Sequence, residues 1–345
     1  MRMTREEHIN EAQAVTVDQH FADLVDDTSV IDETPRAFRK DDLPDWYDEH
    51  LFKAGQKYYC NNYMGCTLGA ISGLLAVLVI PSILKILVWT KKSGTACKAF
   101  TRYLETILHV RELYVSDIND PNSRFWKSIN VMRYLHSTSS RKSRKAGMGG
   151  ITHRDMALTQ FGFMGYALVT PTKLSLTNEK EGREGFTHLW RVVGHAIGIS
   201  DHLNICRKNE AETTELCAKI VNEVFRPHMK NYPEKFPEMT KALLDGMWCI
   251  NPVLNYDSLM SFWYDMSGLK YDKPLGFASQ LNYAYRACIL YLIGTPYIGF
   301  FVRNAFNYHL RITYWILERW RLLAWIRFGK EQSKIHLYPK ETIID

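Results

Sequence analysis

Four polar side chains recur at helical spacing between residues 102 and 109. Glu105, Thr106 and His109 lie three, four and seven positions after Arg102, so a helix would place all four on one face. An arginine, a carboxylate and a hydroxyl on one face can orient a polar ligand and exchange a proton with it. The same pattern is typical of the solvated side of an ordinary helix, and both interpretations remain open.

A histidine ends an apolar row in the next helical segment. Phe125, Ile129, Met132 and His136 follow one another at offsets of four, three and four, which places them on one helical stripe. A histidine at the end of such a stripe is either a core side chain that hydrogen-bonds a backbone carbonyl or a buried metal ligand. The spacing alone is compatible with both.

The two segments together carry a family resemblance. Arg102 and Thr106 form R-x-x-x-T, Arg133 and His136 form R-x-x-H, and thirty residues separate the threonine from the histidine. In this order, and followed by the segment FTHLWRVVGHAIGI, the chain resembles the DUF2236 family. That family includes the latex clearing proteins, or rubber oxygenases, and a fungal ER-bound oxygenase that cleaves a prenyl side chain. The resemblance extends over about residues 52–199.

The resemblance implies a haem b site. It implies that His136 is the proximal iron ligand and that Arg133 is a second cofactor-binding residue. Arg102 and Thr106 would orient bound dioxygen or neutralise negative charge that develops on it. Glu105, if buried, could accept a proton, because burial raises the pKa of a carboxylate towards the working range.

The chain departs from the family at two positions. Glu105 stands where rubber oxygenases have a lysine that can cap the distal side of the iron, so a lysine-ligated state is not expected. Ser140 stands where the family has a second arginine four residues after the histidine, although Arg141 is adjacent. These departures affect the chemistry more than the haem ligand.

The function predicted first is a haem b-dependent oxygenase that uses dioxygen on an apolar, unsaturated substrate, such as an isoprenoid or a lipid. The alternative is a non-catalytic, membrane-associated helical protein that keeps the fold without oxygenase activity, and the loss of the family lysine favours it. A di-iron desaturase is disfavoured because H-x-x-H-H boxes are missing. The sequence also lacks H-E-x-x-H and a G-x-G-x-x-G after a strand, which argues against zincins and nucleotide-cofactor enzymes.

The elements that must position these residues are all predicted to be helices. Every long periodic segment has a period of 3.6 residues, and no long segment alternates with a period of two. The fold class is therefore predicted to be all-α: a single large domain of about ten helices, globin-like in general character, enclosing a haem and an apolar substrate pocket. This domain should span residues 46–330, between an acidic flexible arm (1–45) and a C-terminal tail (331–345).

Helix boundaries are predicted from capping residues. Asp120 and Pro121 suit the N-cap and first position of the helix that carries His136. Thr152 and Asp155 form a capping box for the next helix. Thr177 is predicted to cap the helix that follows.

A polar edge is predicted on that last helix. His188, Arg191 and His195 lie at offsets of three and four and share a face. They are either one edge of a packed helix or a face turned towards the haem or the substrate channel.

The segment from Met64 to Trp89 is apolar and contains a row of glycines. Its length would suffice for a membrane span, but Pro81 should kink it, and Gly65, Gly69 and Gly73 allow another helix to approach closely. We predict a buried core helix that packs against the helices carrying Arg102 and His136.

Charge is distributed unevenly along the chain. The first fifty residues contain fourteen acidic and five basic side chains, so their net charge is −9. The remaining residues have a net charge of +15, which gives the whole chain +6. An acidic leader of this kind is usually solvated or partly disordered. The basic residues of the body are scattered among apolar helices without a known nucleic-acid motif, so no nucleic-acid partner is expected.

The region from Leu281 to Gly329 mixes aromatic residues with arginines. It suits an interfacial helix on an anionic membrane and equally a helix that closes an apolar pocket. Seven cysteines without a C-x-x-C pair, and an N-terminus without a secretory leader, predict an intracellular protein that is not secreted. The resemblance adds an association with the ER membrane as an expectation.

Overall fold

The computed structural model describes residues 4–34 and 36–340. All long elements in this part of the chain are helices, and its extended pairing is limited to one isolated bridge between Val30 and Thr152. The prediction of a single all-α domain is therefore confirmed.

The described residues form sixteen α-helices. Their bounds are α1 Arg5–Ala12, α2 Val17–Asp26, α3 Glu49–Asn61, α4 Tyr63–Leu78, α5 Pro81–Trp89, α6 Ala96–Val115, α7 Arg124–Lys145, α8 His153–Val169, α9 Lys180–Ile197, α10 Glu210–Lys219, α11 Arg226–Lys230, α12 Phe236–Met247, α13 Tyr256–Met266, α14 Phe277–Gly294, α15 Ile298–Arg319 and α16 Leu322–Phe328. A π-helical turn, Ile220–Phe225, joins α10 to α11. The number exceeds the ten expected because several helices are short and the segment 63–89 divides into two.

The apolar segment is buried, and it bends at its proline as predicted. Pro81 is the first residue of α5, and the axes of α4 and α5 meet at 89°. In the described part of the chain, no single helix is long and apolar enough to cross a membrane, although this bent pair passes the length and composition test together. Most of α4 is enclosed by protein, with Leu75 and Leu78 completely buried.

The partner of α4 differs from the prediction. A Cβ on Gly73 would lie 1.9 Å from the carbonyl oxygen of Gly162, so the backbones of α4 and α8 are in direct contact. Gly65 and Gly69 approach Leu174, in the turn that follows α8. We predicted that this segment packs against α6 and α7, but its principal partner is α8, because α8 has its own small residue at the point of closest approach.

The N-terminal residues lie against the body. α1 and α2 bury Ile9, His20 and Leu24, and the Arg207 guanidinium, after α9, donates to His20 Nδ1 at 2.9 Å and to the carbonyls of residues 14 and 15. This packing differs from an arm outside the domain. The acidic residues stay on the outer side while the apolar residues of α2 supply a face for α10. The boundaries at residues 46 and 330 stay predictions.

Candidate functional site

The helix α7 carries His136 as the periodicity predicted. Phe125 and Ile129 are completely buried, and Met132 packs against the core. Phe125 contacts the ring of Phe52 in α3 edge-to-face, with 5.7 Å between centroids. These apolar contacts fix the direction of the stripe, and His136 lies one turn further along it.

His136 has an imidazole without hydrogen-bond partners. Its Nδ1 is enclosed and unpartnered, and no hydrogen bond to Nε2 occurs within residues 4–34 and 36–340, although the residue keeps some accessible surface. Burial lowers the pKa of His136 to about 4, and the positive charge of Arg102 contributes to the shift. The ring is therefore neutral at pH 7, which is the form that coordinates metals.

Arg102 and Thr106 lie on the neighbouring helix α6. The positive charge of Arg102 acts on the His136 imidazole and contributes to its lowered pKa. Its Nη1 is 3.4 Å from Thr90 Oγ1, which is a long contact. Thr106 Oγ1 donates to the carbonyl of Arg102 at 3.0 Å, so its lone pairs remain able to accept a bond from a ligand.

Glu105 is partly enclosed by the C-terminal segment, residues 331–338. Its Oε1 accepts from the backbone N–H of His336 at 2.7 Å. Burial raises the pKa of Glu105, while the His336 hydrogen bond and nearby positive charges, including Arg102, oppose the rise. The carboxyl group therefore has a raised proton affinity.

The same segment covers His109. Tyr338 Oη is 3.2 Å from Ser128 Oγ, which in turn is 3.1 Å from His109 Nδ1. The other side of the ring bonds the backbone of Leu337, and burial lowers the pKa of His109 to about 4. His109 is thus a satisfied core histidine, unlike His136.

Arg133 connects three parts of the structure. Its Nη1 donates to the carbonyl of Ala196 at 2.6 Å and its Nε to the carbonyl of Arg36 at 3.1 Å. The guanidinium also lies 5.6 Å from the centre of the Phe38 ring. These bonds brace α7 against the end of α9, and within the described residues none joins Arg133 to His136. Its role in cofactor binding stays a prediction.

The helical fold is similar to that of a protein of known structure. No family model matches the chain, and no curated protein matches it. A solved structure of a latex clearing protein in the closed state superposes with a TM-score of 0.56 at 14% identity, covering 79% of this chain and 76% of that chain. The chain has a latex clearing protein fold. At this identity the likeness concerns the fold alone, so membership of DUF2236 stays a prediction.

A second cluster in this latex clearing protein-like fold lies on α9. Arg191 is 1% exposed, stacks 4.8 Å from the Trp46 ring, and donates through Nη1 to the Cys206 carbonyl. Its Nε and Nη2 are buried and have no partner in the described part of the chain, and burial lowers its pKa to about 10. Sequence reasoning found the shared edge of Arg191 and His188 but missed Trp46, which is remote in the chain.

The α9 histidines differ chemically from His136. His188 Nε2 accepts from the backbone N–H of Asp48 at 3.0 Å, so the proton of the neutral ring is on Nδ1, which is buried and has no partner among the described residues. Only one nitrogen of His188 is thus unpartnered, whereas neither nitrogen of His136 has a partner in the described part of the chain. His195 Nδ1 is 2.8 Å from the Asp201 carboxylate. Its Nε2 could therefore coordinate a metal in place of His136. Among the described residues, no group of three or more His, Cys, Asp and Glu side chains could hold a metal ion. A haem iron needs only one or two protein ligands.

Proposed function

We propose that this protein is a haem b-dependent oxygenase that uses dioxygen on an apolar, unsaturated substrate, with isoprenoids or lipids as the favoured class. His136 would bind the iron. The proposal rests on the sequence resemblance, on the fold shared with a latex clearing protein, and on the state of one side chain.

The observation that carries the proposal is the free imidazole of His136. An enclosed, unpartnered ring nitrogen costs free energy unless it finds a partner. The ring is neutral, it ends an apolar stripe, and the positive charge of Arg102 acts on it. These properties fit a residue that coordinates the iron of a haem, whose porphyrin also needs apolar surroundings and a nearby cation for its carboxylates.

The chain's own groups then have separate roles. Bound haem b would supply the iron that binds dioxygen. Arg102 holds a permanent positive charge and can stabilise negative charge in the site. Thr106 Oγ1 can orient a ligand, since its hydroxyl has free lone pairs beyond its bond to Arg102. Glu105 holds a proton more tightly than an exposed carboxylate, so at neutral pH it can accept one from a substrate carbon or a water.

A non-catalytic protein of the same fold is the second candidate. The position of the C-terminal segment favours it. The His336 N–H bonds Glu105 and the Leu337 backbone bonds His109, so both side chains already have partners on the α6 face that the oxygenase would need. In such a protein His136 would be a core residue with no ligand.

The visible spectrum of protein purified from haem-supplemented cells separates the candidates. The oxygenase proposal predicts a Soret band that His136→Ala abolishes while the helical far-UV signal remains, because the variant loses the iron bond but little packing. His195→Ala is the matched control and should retain the band, as should His188→Gln.

Two outcomes would contradict this assignment. A full Soret band in His136→Ala, with loss of the band in His195→Ala, would place the ligand on α9. A colourless wild-type protein would favour the non-catalytic candidate. Oxygen uptake with an unsaturated isoprenoid then tests turnover in any haem-loaded preparation.

A further inference from the structure

Large apolar side chains are exposed along α14 and α15. These two helices pack on each other and are joined by the turn at Tyr297, whose side chain is 92% exposed. On α14 the exposed residues include Phe277 and Tyr291, and on α15 they include Phe300 and Phe301, each more than two-thirds exposed. Monomeric soluble proteins rarely expose an apolar surface of this extent without a partner for it.

The exposed residues of α15 form one stripe. Phe301, Tyr308, Ile312 and Trp315 are all exposed and follow at offsets of seven, four and three. The opposite side of the helix is buried, with Asn307 and Tyr314 against the body. An amphipathic helix normally turns its apolar stripe inward, whereas here the outward side carries one as well. We refer to the exposed apolar residues of α14 and α15 as the apolar face.

The charges around the apolar face are almost all positive. Between residues 274 and 329 the chain has six arginines and one acidic residue, Glu318. That carboxylate points to the body, where it pairs with Arg124 at 2.8 Å and Arg111 at 3.4 Å, and only 15% of its side chain is exposed. Arg311 and Arg319 are exposed and lie over the rings of Tyr308 and Trp315. The outer surface of α15 therefore combines aromatic groups with unopposed positive charge.

We propose that the apolar face binds the surface of an anionic lipid bilayer. Aromatic residues prefer the interface between headgroups and acyl chains, and arginines beside them attract anionic headgroups. A second copy of the chain is the less favoured occupant, because like-charged arginines on both faces would repel each other. The association is peripheral: α14 and α15 lie on the bilayer, and neither crosses it.

The apolar surface continues into α16. Ile326 is 85% exposed, and Leu323 and Ile326 form one wall of an open pocket of about 530 Å³ whose other wall includes Trp248 and Leu254. Arg327 lies at the rim, 5.3 Å from the Trp248 ring. Asp245 also lines the pocket, and its carbonyl accepts from Arg327 Nη1 at 3.0 Å. The apolar walls of the pocket fit the end of a lipid chain, whereas its mixed charge does not select the headgroup.

Vesicle flotation of the full-length protein tests the proposal. The probes are vesicles of phosphatidylcholine alone and of phosphatidylcholine mixed with phosphatidylserine. The wild type should float with the mixed vesicles and bind them at least about tenfold more weakly at high salt, because salt screens the arginine contribution. Phe300→Ser/Phe301→Ser should lose at least about tenfold in partitioning, since two side chains no longer enter the lipid.

Matched variants distinguish lipid binding by the apolar face from non-specific binding through any exposed apolar side chain. Val15→Ser also removes an exposed apolar side chain, but between α1 and α2, where the carbonyl of Val15 accepts from Arg207, and should float like the wild type. Arg311→Gln/Arg319→Gln should weaken binding to the anionic vesicles and leave weak binding to neutral vesicles unchanged. His136→Ala should float normally, so that a failure of the haem assignment does not affect this test.

Three results would overturn the proposal. The first is a wild type that stays in the soluble fraction with both kinds of vesicle. The second is a Phe300→Ser/Phe301→Ser variant that keeps the helical far-UV signal and floats like the wild type. The third is a dimer in light scattering that this variant abolishes, without vesicle binding, which would assign the apolar face to self-association. If that variant does not fold, flotation of Arg311→Gln/Arg319→Gln with the anionic vesicles is compared with that of the wild type, and equal flotation overturns the proposal.

Discussion

Glu105 shows how two opposing effects can set the chemistry of one residue. Burial under the C-terminal segment disfavours the ionised carboxylate, whereas the His336 N–H and the charge of Arg102 favour it. The net result is a pKa of Glu105 raised from its ordinary value, with burial as the larger cause. A carboxylate with a raised pKa is a stronger base than an exposed one.

We expect Glu105→Gln to remove the acid limb of the pH–rate profile in haem-loaded protein. In the wild type the rate should fall as the pH falls through the raised pKa of Glu105, because the protonated group accepts no proton. The variant should be slower at pH 7 and show no such limb, while it keeps an oxygen acceptor for the His336 N–H and therefore keeps its fold. Oxygen uptake between pH 5 and pH 8 measures this.

Glu238→Gln is the control for Glu105→Gln. Glu238 lies on the surface, 3.0 Å from Lys235, and its variant should reproduce the wild-type profile. An unchanged acid limb in Glu105→Gln would remove Glu105 from the proton transfer.

At the scale of elements, glycines decide which helices touch. Gly55 of α3 meets Gly185 of α9, and Gly73 of α4 meets Gly162 of α8. A Cβ added to Gly55 or to Gly73 would lie within 2.2 Å of the partner's carbonyl oxygen. Backbone atoms cannot rotate away as the end of a side chain can. The two pairs therefore fix the closest helix–helix contacts of the core.

Gly73→Ala should destabilise the protein by about 2 kcal/mol or more, because α4 and α8 must separate to accommodate the methyl group. Gly94→Ala is the matched control: nothing lies within 4 Å of its added Cβ, so we expect a change within about 0.5 kcal/mol. Urea unfolding followed by far-UV circular dichroism measures both. Equal stabilities would show that the contact relaxes at little cost.

Helical periodicity was enough to predict α6 and α7, because it depends on neighbours within one turn. Capping was predicted unevenly. Thr152 caps α8 through a 3.1 Å bond from the Asp155 N–H, as predicted, but α7 begins after Ser123 rather than Asp120. The carboxylate of Asp120 instead accepts from the N–H of Asn122 in the preceding turn.

The long-range contacts of the candidate site could not be predicted from the sequence. Thr177 was expected to cap α9, but the helix begins at Lys180 and Thr177 instead bonds the side chain of Asn62. The His336 N–H that bonds Glu105 comes from 231 positions away, and no periodic pattern records such a pairing. The site residues stay predictions.

At the scale of the whole molecule, three buried histidines occupy three separate regions. His20 lies beside Arg207 near the N-terminus, His109 lies on α6 and His188 lies on α9; each is at most 5% exposed. Burial lowers the pKa of His20 and His109 to about 4 and that of His188 to about 3. All three are neutral in the folded protein at pH 5, where an ordinary histidine is already charged.

This difference should make the fold acid-sensitive in a specific window. A histidine whose pKa is lower in the folded state favours unfolding once the pH falls below the unfolded value of about 6.5, because only the unfolded chain binds the proton. Its stabilising contribution is complete above that pH and is lost as the pH falls towards the folded pKa. Each of the three should contribute a loss of about 2 kcal/mol between pH 7 and pH 5.

His188→Gln isolates one of these contributions. Glutamine keeps an acceptor for the Asp48 N–H but does not titrate, so the fall in unfolding free energy between pH 7 and pH 5 should be smaller by about 2 kcal/mol than in the wild type. Glu105, whose raised pKa acts in the opposite sense, is present in both proteins and cancels. His50→Gln, at a histidine whose side chain is 79% exposed, should keep the wild-type slope. Urea unfolding of the haem-free proteins at the two pH values gives the comparison, and identical slopes for His188→Gln and the wild type would mean that His188 is already charged in the folded protein or becomes so without cost.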